Sequence, residues 1–120
     1  MTNTEIKSLL ETFAAAWDAR DITKVMACFD GEATYFASVG LLPGEKAVGH
    51  TAISKLVNHM FDTDKGSISQ LSNVLISNNQ AAWKWRYDFS DGSYVVGCDF
   101  FEFKDGRIAL KDAYRKAYTS

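Results

Sequence analysis

The segment over residues 97–114 constrains the fold of this chain more than any other, because it predicts a β-hairpin. Its centre, Asp105-Gly106, suits a two-residue turn with positive φ, and alternating apolar residues flank it on both sides. Pairing residues outward from this turn places Asp99 opposite Asp112. The hairpin therefore predicts two acids side by side on neighbouring strands.

One face of this hairpin collects apolar side chains together with both acids, since residues two apart on a strand share a face. Its members are Asp99, Phe101, Phe103, Ile108, Leu110, Asp112 and Tyr114. Two carboxyls facing an apolar interior cannot both ionise cheaply, so we expect one of them to keep its proton. The protonated acid would donate a hydrogen bond to an oxyanion, and the ionised acid would accept a proton.

Two alternatives would remove this pair of acids. A tyrosine hydroxyl or a basic neighbour would satisfy Asp99 or Asp112, and the acid would then be structural. A β-bulge would turn Asp112 to the outside of the sheet, because one extra residue reverses the alternation of faces.

The strand over residues 83–89 alternates strictly between aromatic and charged residues, and its register decides what Asp99 faces. A two-residue turn at residues 91–92 would place Arg86 and Asp88 beside Asp99 as further catalytic candidates, with the aromatic side chains outside as a dimer surface. A three-residue turn would place the aromatic side chains beside Asp99, in an apolar cavity with one acid. The sequence leaves both registers open.

Aromatic residues make up 13% of the chain, a share that favours a lined cavity or an aromatic interface over a routine core. The candidates for contact with a small hydrophobic ligand lie on the apolar faces of predicted helices and strands or, for the histidine, where the third helix begins. They are Phe13, Trp17, Tyr35, His50, Phe61, Phe101, Leu110 and Tyr114. Packing within the core is the alternative for the aromatic residues, and a surface position is the alternative for His50.

The order of the predicted elements defines the fold class. Apolar residues at helical spacing predict three helices, the first of them opened by a capping box of Thr2 and Glu5. Their predicted ranges are 6–17, 22–29 and 51–61, with a short strand over 33–36 and a loop over 38–49. Four longer strands follow, over 67–77, 80–89, 93–104 and 107–118. Helices followed by a meander of antiparallel strands predict an α+β fold, in a single domain over residues 1–120.

Charge and motifs exclude several classes of function. The net charge is −2 with both signs interspersed, so nucleic acid is not an expected partner. No metal-ligand spacing, phosphate loop or dinucleotide fingerprint occurs, so we expect neither a metal nor a cofactor. No apolar run would span a bilayer and no signal peptide is visible, so we expect a cytoplasmic protein with no membrane partner. Cys28 and Cys98 read as reduced thiols.

Several segments together resemble the SnoaL-like branch of the nuclear-transport-factor-two-like superfamily. The resemblance lies in residues 13–21, 25–30, 32–35 and 48–53, and in the closing hairpin over 97–108. It implies a cone-shaped, curved antiparallel sheet wrapped around a long N-terminal helix, with a conical pocket. It further implies a homodimer through the outer face of the sheet. Enzymes of this group include ketosteroid isomerase, polyketide cyclases and limonene-epoxide hydrolase.

The resemblance assigns roles to individual residues only in part. Asp99 aligns with the oxyanion-hole acid of the isomerase, whereas Phe13 and Ala37 stand where the isomerase has its tyrosine and its general-base aspartate. The segment 86–88 is similar to the Arg-x-Asp of the epoxide hydrolase. Its water-holding tyrosine and distal aspartate would correspond to Tyr35 and Asp112. Neither set is complete in this chain.

These observations lead to three hypotheses of different classes. The first is a cofactor-independent acid/base enzyme of isomerase, cyclase or hydrolase type, acting on a small hydrophobic oxygenated molecule. Asp99 would be its general acid or its oxyanion donor, Asp112 or Asp88 its base, and Arg86 would tune them. The second is a non-catalytic module that binds a small molecule in the same pocket. The third is a dimeric interaction module that works through its aromatic strand.

Overall fold

A computed structural model describes residues 1–40, 44–63 and 66–116. Within these ranges the helices are α1 (Asn3–Asp18), α2 (Ile22–Ala27) and α3 (Gly49–Thr63). The strands are β1 (Phe29–Phe36), β2 (Lys46–Val48), β3 (Ser67–Leu71), β4 (Leu75–Ser77), β5 (Gln80–Asp88), β6 (Tyr94–Lys104) and β7 (Arg107–Arg115). Helices and an open curved sheet form the α+β architecture that the sequence predicts.

The first helix begins where the sequence places its capping box. The Thr2 hydroxyl accepts a hydrogen bond from the Glu5 backbone N–H at 3.1 Å, and the Glu5 carboxylate accepts one from the Thr2 backbone N–H at 2.9 Å. These two bonds satisfy donors that the first helical turn would otherwise leave unpaired. The face of α1 that follows the apolar spacing is buried, including Ile6, Leu10 and Phe13.

The sheet has seven strands, in the order β2-β1-β7-β6-β5-β3, with β4 paired to β5 beyond this path. β1 runs parallel to β7, whereas the other pairs are antiparallel. The inner face of the sheet packs against the apolar faces of α1 and α3 in one core. This arrangement leaves the opposite face of β5, β6 and β7 on the outside of the molecule.

The hairpin of β6 and β7 turns at Asp105-Gly106, as the sequence predicts, with φ values of 51° and 78°. Lys104 pairs with Arg107 across this turn. The predicted pairing of Asp99 with Asp112 is wrong, because the register shifts by one residue beyond Phe103. The extra residue in β7 is Ala109, and it forms a β-bulge. Asp99 therefore pairs with Ala113.

The bulge reverses the two faces of β7 from Leu110 onward. Lys111 now points to the inner face, where it is buried, although the uninterrupted alternation predicts it outside. Leu110, Asp112 and Tyr114 lie on the outer face, so their predicted places beside the cavity are wrong. Asp112 pairs with Phe100 of β6 and accepts a hydrogen bond from the Tyr114 hydroxyl at 3.0 Å.

The turn between β5 and β6 has three residues, 90–92, which selects the second of the two predicted registers. Trp83 pairs with Asp99, and the aromatic side chains of β5 face inward. Arg86 and Asp88 lie on the outer face, where they form an ion pair at 3.0 Å, and the Arg86 guanidinium lies 3.9 Å from the centre of the Tyr94 ring. Their predicted placement beside Asp99 is therefore wrong.

Other boundaries differ from the sequence prediction in smaller ways. β1 begins at Phe29 rather than at residue 33, β2 lies within the predicted loop, and the predicted strand over 67–77 is interrupted between β3 and β4. The predicted end of the last strand near residue 118 lies outside the described residues. Cys28 and Cys98 are both free thiols. In the three described ranges, no helix has the length and apolar character needed to cross a membrane.

Candidate active site

A cavity opens between α1 and the inner face of β5, β6 and β7. The space inside it measures about 110 Å³. Its wall combines aliphatic side chains with aromatic ones, and the aromatic ones include Phe13 and Trp17 of α1, Tyr35 of β1 and the inward side chains of β5. Phe13, Trp17 and Tyr35 are three of the predicted ligand contacts, and their role toward a ligand stays a prediction.

A buried ion pair joins two strands at the inner end of this cavity. Lys111 Nζ of β7 lies 3.5 Å from Asp99 Oδ1 of β6, and the two side chains are only 6% and 8% exposed. Lys111 also donates a hydrogen bond to the Tyr35 hydroxyl at 2.9 Å. The indole N–H of Trp83 donates to Asp99 Oδ2 at 2.9 Å. Asp99 and Lys111 are thus both held by neighbours from adjacent strands.

The charge state of Lys111 follows from two opposed effects. Burial alone would lower the pKa of Lys111, but the Asp99 carboxylate and the Tyr35 hydroxyl beside it outweigh burial and raise that pKa. Burial raises the pKa of Tyr35, although the Lys111 ammonium opposes this. Lys111 is therefore an ammonium and Tyr35 a neutral phenol at physiological pH, which excludes Lys111 as an amine nucleophile.

Aromatic rings surround the ammonium as well. Lys111 Nζ lies 4.3 Å from the centre of the Tyr35 ring, 5.1 Å from that of Trp17 and 5.9 Å from that of Phe13. Each ring face carries partial negative charge and attracts a cation, by about 0.5–2 kcal/mol depending on desolvation. These contacts help to hold the charge in an otherwise apolar wall.

Two polar atoms of the cavity wall are buried without a hydrogen-bond partner among the described residues. They are Trp85 Nε1 and Asp99 Oδ1. Asp99 Oδ1 lies within ion-pair distance of Lys111 but lacks hydrogen-bond geometry to it. A buried polar atom without a partner costs about 1–3 kcal/mol. Trp85 Nε1 bears this cost in full, whereas Asp99 Oδ1 keeps the attraction of Lys111.

The remaining candidates from the sequence lie away from this cavity. His50 Nε2 is 2.9 Å from the Phe29 carbonyl oxygen, at the start of α3. Phe61 and Phe101 pack in the core against Trp17 and Phe13, with ring centres 5.2 and 6.1 Å apart. Of the four predicted catalytic residues, only Asp99 lines the cavity.

Sequence reasoning missed Lys111 and left Trp83 and Trp85 as one of two alternatives. Nothing in the local pattern marks the bulge at Ala109, so the alternation of faces predicts Lys111 outside. The alternation of aromatic and charged residues in β5 is visible in the sequence. The length of the turn after β5 decides whether the aromatic side chains face inward or outward. Across the described ranges, no cluster of three or more histidine, cysteine or acidic side chains could hold a metal ion.

The family comparison identifies the class of this protein. The model of the SnoaL-like domain matches residues 10–111, so the chain belongs to the SnoaL-like domain family. The resemblance expected from the sequence is thereby confirmed. No curated protein sequence matches the chain.

Solved structures share the fold at low sequence identity. An NTF2-like protein of unknown function from Mesorhizobium loti has a TM-score of 0.82 and 20% identity, over 95% of this chain and 93% of that one. A proposed polyketide cyclase from Xanthomonas campestris has a TM-score of 0.81 and 14% identity, over 94% and 91%. A proposed ketosteroid isomerase from Kribbella flavida DSM 17836 has a TM-score of 0.76 and 18% identity, over 98% of this chain and 82% of that one. Such identities show the fold alone.

Proposed function

We propose that this protein is an acid/base enzyme that acts on a small hydrophobic oxygenated molecule. The observation that carries this proposal is the buried group of Asp99, Lys111 and Tyr35 within an aromatic cavity. Every proton-transfer group that the proposal needs is supplied by the chain itself. The body of the substrate packs against the aromatic wall, and its oxygen lies against the polar end.

Asp99 is the proton acceptor in this proposal. Its Oδ2 is held by the Trp83 indole N–H, which fixes the orientation of the carboxylate, while Oδ1 has no hydrogen bond among the described residues. A carboxylate oxygen that accepts no hydrogen bond can remove a proton from a carbon next to a carbonyl group, and Oδ1 is held near Lys111 by the ion pair alone. Trp83 positions the base and does not itself react.

Lys111 and Tyr35 stabilise the charge that this step creates. When Asp99 takes the proton, it loses its charge and the carbonyl oxygen of the substrate becomes an enolate oxygen. The negative charge thus moves from Asp99 to the substrate, and the Lys111 ammonium keeps a counter-ion throughout. The Tyr35 hydroxyl accepts from Lys111, so its own hydrogen can be donated to the enolate oxygen.

The same enolate serves two reaction types. Return of the proton from Asp99 to another carbon gives an isomerisation, and attack of the enolate carbon on a second carbonyl gives an aldol-type cyclisation. Two relatives in fold, a proposed polyketide cyclase and a proposed ketosteroid isomerase, support these two types. Water addition to an epoxide loses its support, since Arg86, Asp88 and Asp112 lie outside the cavity.

The first step is tested by exchange of α-protons of 2-tetralone, an apolar bicyclic ketone, in D₂O, followed by NMR. Wild-type protein is expected to catalyse the exchange, and Asp99→Asn to lower its rate at least about 100-fold. Asp112→Asn is the matched control, because it removes a carboxylate of the same strand pair from the outer face. Equal rates for wild type and Asp99→Asn, or an equal loss in Asp112→Asn, would contradict the proposal.

A second candidate is a module that binds the same kind of molecule without reaction. The observation that favours it is the existing ion pair, since Asp99 and Lys111 already satisfy much of each other's charge. In the exchange experiment this module would bind 2-tetralone, seen as a raised melting temperature, but would release it without deuterium.

We also propose a homodimer formed through the outer face of the sheet. Phe100 and Tyr114 are 51% and 54% exposed on this face, and their rings are in edge-to-face contact with centres 5.9 Å apart. Leu110 lies beside them, in a groove that also includes Leu75 and Ala82. An apolar surface of this kind on the side away from the cavity suits a second copy of the same chain.

A further inference from the structure

Two rows of residues cross β5, β6 and β7 side by side on the inner face of the sheet. The rows are Trp83–Asp99–Ala113 and Trp85–Gly97–Arg115. Each row begins with a tryptophan of β5 whose indole lines the cavity. The two rows differ in the residue of β6 that stands opposite this tryptophan.

The indole N–H of the first row has an acceptor within the protein, whereas the indole N–H of the second has none among the described residues. In the first, the Trp83 N–H donates to the Asp99 carboxylate at 2.9 Å. In the second, the Trp85 N–H is buried and meets no acceptor in the described part of the chain, because the opposite position is Gly97. The second row therefore has an indole donor and lacks a carboxylate.

Gly97 gives the Trp85 indole its position. A Cβ at residue 97 would lie 2.6 Å from Trp85 Cζ2 and 2.2 Å from the Tyr114 carbonyl oxygen, closer than real Cβ atoms come. The indole ring therefore rests directly on the backbone of β6. Only glycine at this position allows that contact. Gly97 therefore offers the Trp85 N–H no side-chain acceptor, and it leaves the space that the indole ring occupies.

Arg115 adds a positive charge at the other end of the row. It lies at the cavity wall on the inner side of β7, is exposed at the mouth, and forms no ion pair with any described residue. Among the described residues, the other charged groups that line the cavity are Asp99 and Lys111, which compensate each other. In the described part of the cavity wall one positive charge is thus in excess, at the opposite end of the row from the unpaired Trp85 N–H.

We propose that the ligand of this cavity is an apolar carboxylic acid, bound as its carboxylate by the Trp85 N–H and the Arg115 guanidinium. The carboxylate of the ligand would accept from the Trp85 N–H in the second row, as the Asp99 carboxylate accepts from the Trp83 N–H in the first. Guanidinium and N–H donors to a carboxylate are charge-assisted and stronger than bonds between neutral groups. This inference rests on the proposed function, since the same cavity holds the reacting part of the molecule.

The test is calorimetric titration with 2-naphthoate and with 2-naphthamide, its neutral counterpart of nearly equal shape. Wild-type protein is expected to bind naphthoate at least tenfold more tightly than naphthamide. Arg115→Met is expected to abolish this preference, and Trp85→Phe, which removes the N–H, to reduce it severalfold. Lys116→Met is the matched control, because it removes the neighbouring positive charge, which follows the end of β7 and does not line the cavity. This variant is expected to keep the preference.

Equal affinity for the two compounds, or a naphthoate preference that survives Arg115→Met, would overturn the inference. Asp99→Asn separates this result from the proposed catalysis, since it removes the base and one negative charge but leaves the second row intact. It is expected to bind naphthoate at least as tightly as wild type. If wild-type protein prefers naphthoate but does not exchange the protons of 2-tetralone, only the proposed catalysis by Asp99 is contradicted. If it exchanges the protons but shows no preference for naphthoate, only the carboxylate site is contradicted.

Discussion

Lys111 and Asp99 lie in a part of the molecule where either charge alone would be unfavourable. Both side chains are nearly inaccessible to water, and among the described residues their remaining polar contacts are one phenol and one indole. The attraction between the two charges offsets the desolvation of each, so removing either side chain leaves the other buried without compensation. The pair is therefore a structural as well as a chemical unit.

Removing one member of this pair should cost more than removing both charges. Lys111→Met leaves the Asp99 carboxylate buried without a counter-ion, and we expect it to lower the free energy of unfolding by about 3–5 kcal/mol. The double variant Lys111→Met/Asp99→Asn is expected to regain part of this loss, since Asn can still accept from Trp83. Urea unfolding followed by circular dichroism measures both. A loss below about 1 kcal/mol in Lys111→Met, as for an exposed pair, would count against the buried ion pair.

At the scale of the elements, two local features decide what the cavity contains. The three-residue turn at residues 90–92 directs Trp83 and Trp85 inward, and the bulge at Ala109 exchanges Asp112 for Lys111. Each feature shifts a strand by a single residue, and a shift of one residue moves every later side chain to the other face. A site with one acid and one ammonium results in place of a site with two acids.

The helices and turns were readable from the sequence because their signals are local. The capping box at Thr2, the positive-φ turn at Asp105-Gly106 and the apolar spacing of α1 all lie within a few residues of the structure they specify. The bulge has no such signal, since Ala109 is compatible with either register. The position of the bulge depends on which side chains of β7 can pack against α1 and β1 on the inner face. That packing is a property of the assembled fold.

The parallel pairing of β1 with β7 has the same origin. The sequence marks a short strand before α3, but its partner lies more than 70 residues later, and no local pattern selects that partner. This pairing brings Tyr35 of β1 opposite Lys111 of β7. The hydrogen bond between them therefore joins two elements whose contact sequence reasoning does not predict.

At the scale of the whole molecule, the two faces of the sheet divide the functions that we propose. The inner face carries the cavity, and the outer face carries the apolar patch around Phe100 and Tyr114. We expect Phe100→Glu to convert a dimer into a monomer, because it places a charge in the middle of the apolar patch that the proposed dimer would bury. Sedimentation velocity measures the change.

Val48→Glu provides the control for this experiment. Val48 is 55% exposed on β2, at the far edge of the sheet, so the same substitution there should leave the dimer unchanged. A monomeric wild-type protein, or a dimer that survives Phe100→Glu, would rule out this interface. Neither result would bear on the cavity.

The central claim is that Lys111 is a buried ammonium held by Asp99, and the most direct measurement is an NMR titration of the Lys111 side chain. In wild-type protein its pKa is expected above the ordinary value for lysine, about 10.4. The pair therefore stabilises the fold at lower pH, and this contribution disappears as pH rises through the raised pKa. Asp99→Asn should lower the pKa of Lys111, because burial then acts without opposition from the carboxylate. A pKa of Lys111 that lies at or below the ordinary value in wild type, or that does not respond to Asp99→Asn, would contradict the account.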